Sequence, residues 1–103
     1  MTNATDLQVL KAKLNQETAR AGWLELQPFF ARGQTVFVAG DLDLVEVAAA
    51  FAEDQTGPLQ RWRQEGRVDK VSDQQARDWL AANQQLWTVV VAPWVLVQPV
   101  RPH

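Results

Sequence analysis

Five carboxylates that could bind a cation lie between residues 41 and 54: Asp41, Asp43, Glu46, Glu53 and Asp54. Hard cations such as Mg²⁺ and Ca²⁺ prefer oxygen ligands of this kind. Glu46 and Glu53 would share one face of a helix, which brings two carboxylates to the same side. However, Asp43 and Glu46 also have the spacing of a helix capping box, and no calcium-binding loop or histidine lies nearby. We therefore predict structural roles and keep Asp41, Asp43, Glu46 and Glu53 as candidate metal ligands.

A group of cations follows, formed by Arg61, Arg63, Arg67 and Lys70. Residues 45–71 resemble the helix-turn-helix of excisionase-like and MerR-like DNA-binding proteins, in which a wing strand follows a recognition helix with Trp and Arg. The resemblance implies that these four cations contact DNA. Glu53 and Asp54 in the turn would repel phosphate, and Pro58 replaces the polar residues that normally open a recognition helix. The formal net charge of −2 also opposes binding by bulk charge. DNA binding is therefore the alternative hypothesis.

The chain of 103 residues contains five tryptophans. We expect Trp23, Trp62 and Trp79 in the core, because large aromatic side chains usually bury most of their surface. Exposed aromatic and aliphatic side chains at the edge of a sheet are typical of a protein interface. We therefore name Trp87, Trp94 and Leu96 as interaction candidates, and Trp94 suits the core and an interface equally well.

The side chains needed for nucleophilic catalysis are scarce. The sequence has no cysteine, its only serine is Ser72, and its only histidine is His103, the last residue. Ser72 is explained as a helix cap, so neither a Ser–His nor a Cys–His pair can be assembled. No glycine-rich phosphate loop or dinucleotide-binding motif occurs. We expect no enzyme activity and no cofactor.

Length and composition indicate one globular domain over residues 1–103, with an ordered core over residues 6–98 and a loose tail over residues 99–103. Apolar residues make up 47% of the chain and charged residues 21%, which is ordinary for a globular protein. The first residues lack the pattern of a signal peptide. We expect a soluble cytoplasmic protein that does not associate with membranes.

The pattern of caps and apolar spacing predicts five helices. They are expected over residues 6–21, 23–32 and 44–54, from residue 58 to before residue 66, and after the capping box at residues 72–75. Pro28 should kink or split the second helix, and Pro58 should open the fourth at its first position. Strands are expected over residues 34–39 and 67–71.

The most apolar segment of the chain runs from Leu86 to Val97 and contains no charge. It is too short and too interrupted to cross a bilayer, which takes about 20 apolar residues. Its β-branched residues predict a strand buried on both faces, with a bulge or bend at Pro93. The predicted fold is therefore α/β (or α+β), with a three-stranded sheet, about five helices and the order ααβααβαβ.

Several segments together resemble a known family. They include Gly22-Trp23-x-Glu25-Leu26, Phe29-Phe30-Ala31-Arg32-Gly33, residues 43–54 and the C-terminal Ala92-Pro93-Trp94-Val95. On these residues the chain is identified as a member of a bacterial family of small proteins known as domain of unknown function 2288. The match runs from about residue 10 to residue 98. The resemblance implies no activity, cofactor or catalytic residue.

We expect the protein to act through contact with another protein, as a homodimer or an accessory subunit. Reactive side chains are scarce, whereas aromatic and β-branched side chains are abundant near the C-terminal strand. DNA binding through residues 45–71 and carboxylate metal binding are the two alternatives.

Overall fold

The computed structural model describes residues 4–101. Within them the chain forms five helices and five strands. In chain order these are α1 (Ala4–Glu17), β1 (Ala19–Gly22), α2 (Trp23–Ala31), β2 (Thr35–Val38), α3 (Leu44–Ala52), α4 (Thr56–Gln64), β3 (Val68–Lys70), α5 (Asp73–Ala82), β4 (Gln85–Val91) and β5 (Trp94–Pro99). The fold class is α/β, as predicted.

The five strands form one mixed sheet with the order β1-β4-β5-β2-β3. β2 and β5 are parallel, and the other neighbouring pairs are antiparallel. The prediction of three strands was wrong in two places. The C-terminal apolar segment is a hairpin of two strands, in which Val91 pairs with Trp94 and Ala92-Pro93 forms the turn with a cis peptide bond. β1 was also missed.

Helices cover both faces of the sheet. On one face α1, α3 and α4 pack over a core cluster that includes Leu14, Val47 and Leu96. On the other face α2 and α5 pack over a second cluster that includes Trp23 and Val97. Successive side chains of β5 point alternately into the two clusters, so the predicted burial on both faces holds for β5. It does not hold for β4, where Trp87 and Val90 are exposed.

The first helix ends earlier than predicted. α1 stops at Glu17, where the Thr18 hydroxyl donates a 2.8 Å hydrogen bond to the Leu14 carbonyl. Residues 19–22 then pair with residues 85–88 of β4. Thr5 was predicted to be the N-cap, but it lies inside α1, which begins at Ala4. Residues 19–22, which the apolar pattern predicted as the end of a helix, form a strand instead because they pair with a segment far along the chain.

Two predicted helix caps are present. Asp43 accepts hydrogen bonds from the backbone N–H groups of Val45 (2.9 Å) and Glu46 (3.4 Å) at the start of α3. Ser72 and Gln75 form a complete capping box at the start of α5. Each cap satisfies backbone donors that have no partner inside the helix.

The two helical prolines lie inside α2 and α4. α2 continues through Pro28 as one helix rather than splitting. Pro58 is the third residue of α4, not the first. Proline is tolerated within the first turn of a helix, where the missing N–H would have no intrahelical acceptor.

The last strand extends into the residues that were predicted as a tail. β5 extends to Pro99, and the Val100 N–H donates a 3.1 Å hydrogen bond to the Gln85 carbonyl. Residues 102–103, including His103, lie outside the described part of the chain. None of the helices in the described part is both long enough and apolar enough to cross a membrane.

Candidate functional site

The sheet leaves one apolar stretch of strand without a neighbour. β1 begins at Ala19, which pairs with Thr88, so β4 continues past β1 over Val89, Val90 and Val91. In the described part of the chain, no strand pairs with these three residues on that side. We call residues 89–91 the open stretch of β4. The Val90 side chain is 56% exposed there.

The backbone of Val90 points toward the open side. The Trp23 N–H donates to the Gln84 carbonyl, so the even-numbered residues of β4 direct their backbone groups toward β1. By the same alternation, the N–H and C=O of Val90 face away from β5. They lie beyond Ala19, the first residue of β1, which pairs with Thr88. Because no strand of residues 4–101 pairs with this donor and acceptor, they and the exposed valine beside them form a template for another strand.

The two outer strands of the sheet lack this property. β3 has three residues, and the Asp69 carboxylate accepts a 2.8 Å hydrogen bond from the Lys70 backbone N–H. β1 has four residues and carries the exposed Arg20. Short length and charge are the usual means by which proteins block pairing at sheet edges. The open stretch of β4 carries no charge, so it is the edge best suited to another chain.

The three interaction candidates differ in exposure. Trp87 is 40% exposed and lines a surface cavity of about 450 Å³ together with Thr18, Leu42 and Gln98. Trp94 is half-buried. Leu96 has no exposed surface, so its side chain offers nothing to a partner, and that candidate was wrong.

A second cavity, of about 170 Å³, lies between α4 and the β3 side of the sheet. We call it the α4–β3 pocket. Its lining residues are Val36, Phe51, Leu59, Arg63, Val68, Asp69, Lys70 and Trp94. The Lys70 ammonium lies 5.6 Å from the centroid of the Trp94 ring, within the range of a cation–π interaction.

The acidic candidates are separated by different structural roles. Asp43 caps α3, and Glu46 lies 3.8 Å from the Lys11 ammonium. Asp41 forms an ion pair with Arg67. The hydrogen bond from the Arg67 guanidinium holds the pKa of Asp41 below its ordinary value of 3.8. Glu53 is the C-cap residue of α3.

The described residues contain no group of three or more His, Cys, Asp or Glu side chains that could hold a metal ion.

The basic candidates lie on a helix–turn–helix–strand segment formed by α3, α4 and β3. Arg61 and Arg63 are exposed on α4, and Lys70 is exposed on β3. Arg67 contacts both Asp41 and Glu65, so two carboxylates neutralise it. Trp62 packs against the core, as predicted, and is half-buried.

Sequence reasoning missed Val90, Phe51 and Leu59. Val90 lies inside an apolar run, so its neighbours in sequence do not mark it as exposed. Its exposure depends on where β1 begins, and the sequence analysis did not predict β1. Phe51 was expected in the core and Leu59 as an anchor of α4. Their helical spacing carries no signal that they line an open cavity.

Comparison with known proteins identifies the family but no activity. The family model described as "Protein of unknown function (DUF2288)" matches residues 9–99. The chain is also similar to the solution NMR structure of PA1075 from Pseudomonas aeruginosa, with 45% sequence identity and a TM-score of 0.81 over 99% of this chain and 95% of that one. No curated protein matches. The chain therefore belongs to the DUF2288 family.

Proposed function

We propose that this protein acts through protein–protein contact, and that the contact joins two copies of the chain along the open stretch of β4. The observation that carries the proposal is the exposed Val90, whose backbone N–H and C=O face no neighbouring strand among residues 4–101. An extended segment that pairs here would satisfy both backbone groups and cover the valine side chain.

A second copy of the same stretch is a suitable partner. In a two-fold symmetric dimer the same surface contacts itself, so it must be self-complementary. Antiparallel pairing centred on Val90 places that valine opposite its counterpart and Val89 opposite Val91 of the other copy. An uncharged valine surface satisfies this condition in full, whereas β1 would bring the Arg20 side chains of the two copies together.

The pairing is short, so we expect a weak dimer. Three residues per chain bury less than a standard stable interface of about 1,600 Å². We therefore expect a dissociation constant on the order of micromolar or weaker. The cysteine-free composition is compatible with the cytoplasm as the compartment in which the contact forms.

Sedimentation velocity over a concentration series tests the proposal. The wild-type protein should shift from monomer to dimer as concentration rises, and the Val90→Lys variant should stay monomeric, because lysine at a sheet edge disfavours pairing. Val9→Lys is the matched control, since Val9 is also exposed (65%) but lies on a helix, α1, where it offers no strand edge for pairing. A wild-type monomer at every concentration, or equal loss of the dimer in both variants, would contradict the proposal.

A further inference from the structure

We propose that the α4–β3 pocket binds a small aryl carboxylate, with its ring inside the cavity and its carboxylate held by Arg63 and Lys70. This site is separate from the open stretch of β4, and the inference does not depend on dimer formation.

The size and walls of the pocket suit one aromatic ring. Its volume is about 170 Å³, and an apolar cavity of roughly 150 Å³ can hold a benzene molecule. Phe51, Leu59 and Trp94 supply apolar wall, and Val36 and Val68 form its base in the sheet. A monocyclic ring fits this space, whereas a larger fused ring system would exceed it.

The charges at the pocket favour an anion. Neither Arg63 nor Lys70 has a carboxylate within 4.0 Å among the described residues, unlike Arg67, which has two. Asp69 also lines the pocket, and it accepts the hydrogen bond from the Lys70 backbone N–H. Two cations against one carboxylate leave the pocket with net positive charge. A ligand carboxylate can therefore accept charge-assisted hydrogen bonds from Arg63 and Lys70, neither of which is in an ion pair with a described residue.

The geometry favours a free acid over the end of an extended peptide. Backbone hydrogen bonds from Ala39 to Arg67 and from Val71 to Thr35 show that the odd-numbered residues of this segment face β2. The Lys70 N–H therefore points outward, and the Asp69 carboxylate already occupies it. A peptide that added to β3 would lack this donor, whereas a small acid does not need it.

A titration followed by ¹H–¹⁵N NMR tests the site with phenylacetate, its neutral analogue phenylacetamide, and acetate. Phenylacetate should shift the Lys70 amide and the Trp94 indole N–H in a saturable way, with a dissociation constant on the order of 1 mM. Phenylacetamide should bind about tenfold more weakly because it lacks the charge, and acetate should not saturate because it lacks the ring. The Val90→Lys variant should bind phenylacetate as the wild type does, which separates this proposal from the dimer.

Variants that are expected to change the affinity for phenylacetate in opposite directions make the test specific. Combined Arg63→Gln and Lys70→Gln substitutions should weaken phenylacetate binding about tenfold or more, whereas Arg61→Gln, on the same helix but outside the pocket, should leave it unchanged. Asp69→Asn should tighten binding, because the amide oxygen can still accept the Lys70 hydrogen bond while the repelling charge is removed. If the double variant does not fold, Asp69→Asn alone still tests whether charge at the pocket controls phenylacetate binding.

Four results would overturn the assignment. They are the absence of saturable shifts up to about 20 mM phenylacetate, equal binding of the acid and the amide, weaker binding by Asp69→Asn, and tenfold tighter binding of a hexapeptide that ends in phenylalanine.

Discussion

Val90 and Val95 lie opposite each other in the β4–β5 hairpin, yet Val95 is 3% exposed and Val90 is 56% exposed. Val95 belongs to the core cluster beneath α2 and α5, which does not extend as far as Val90. The two residues have the same side chain and lie on the same face of the sheet, but Val95 has a strand on each side and Val90 has one only on the β5 side among the described residues. The boundary between covered and uncovered sheet therefore passes between them.

Because of this boundary, we expect valine-to-alanine substitution to lower the free energy of unfolding by different amounts at the two positions. Val95→Ala should lower the free energy of unfolding by about 2 kcal/mol, because it leaves a cavity in the second core cluster. Val90→Ala should change it by less than about 0.5 kcal/mol in the monomer. Urea denaturation at a concentration below dimer formation measures both. Equal costs would show that Val90 is also covered in the monomer.

The features predicted correctly from sequence depend on a few neighbouring residues. The Asp43 and Ser72 caps each need one side chain and the backbone within three residues, so local sequence is sufficient. β2 was also predicted, because its β-branched and aromatic residues lie between turn residues. The class of the fold followed from the order of such local elements.

The missed features depend on distant parts of the chain. The residues of β1 include no β-branched side chain, and this strand exists because it pairs with β4, more than sixty positions away. The hairpin turn at Ala92-Pro93 has neither Gly nor Asn, so the usual turn signal was absent. Both errors affect the candidate site, because the first residue of β1 and the start of the turn together define the open stretch of β4. Trp87, which the sequence predicts as an interaction candidate, is 40% exposed, and its role in an interface stays a prediction.

Binding to nucleic acid should be absent. Arg67 is neutralised by Asp41 and Glu65, which leaves too few cations on α4 and β3 for strong phosphate binding. We expect no retardation of a random DNA duplex at low salt in a gel-shift assay. Retardation that weakens with added salt, and that Arg61→Ala combined with Arg63→Ala abolishes, would restore the DNA-binding alternative.

The ion pair of Asp41 and Arg67 should make stability depend on pH. Because the pKa of Asp41 is lowered in the folded protein, its contribution is complete above the unfolded-state value of 3.8 and is lost as the pH falls through the folded-state value. The difference in urea midpoint between wild type and Asp41→Asn should therefore shrink in acid. In an Arg67→Gln background, Asp41→Asn should have little effect at any pH. A difference that persists in that background would assign the stabilisation to another partner of Asp41.

Two glycines should respond to alanine with opposite signs. Gly33 has a φ of +71° after the end of α2, so Gly33→Ala should cost about 1 kcal/mol of unfolding free energy. Gly57 lies in α4, and a Cβ there would meet no atom within 4 Å. Gly57→Ala should therefore stabilise the protein by about 0.4–1 kcal/mol through the unfolded state. Thermal unfolding of the two variants gives the comparison, and a stabilising Gly33→Ala would contradict the positive φ.

Gln98 joins the centre of the sheet to the loop before α3. Its side-chain amide donates hydrogen bonds of 2.8 Å to the carbonyls of both Ala39 and Leu42. Gln98→Glu replaces these donors with a carboxylate that faces two carbonyl oxygens, so it should destabilise the protein by about 1–3 kcal/mol at neutral pH. Gln98→Met loses the donors without adding a charge, so it should lower the free energy of unfolding by less than Gln98→Glu does.

The Gln98→Glu variant should recover stability in acid. The two carbonyls disfavour the charged form, so the pKa of the introduced carboxyl should be higher in the folded state than in the unfolded state. The penalty is then absent below the unfolded-state pKa of about 4.3 and grows as the pH rises through the folded-state pKa. Urea midpoints of the Glu and Met variants should converge between neutral and acidic pH. A constant gap would mean that the introduced carboxylate turns away into solvent, and that the loop before α3 tolerates the loss of its connection to β5.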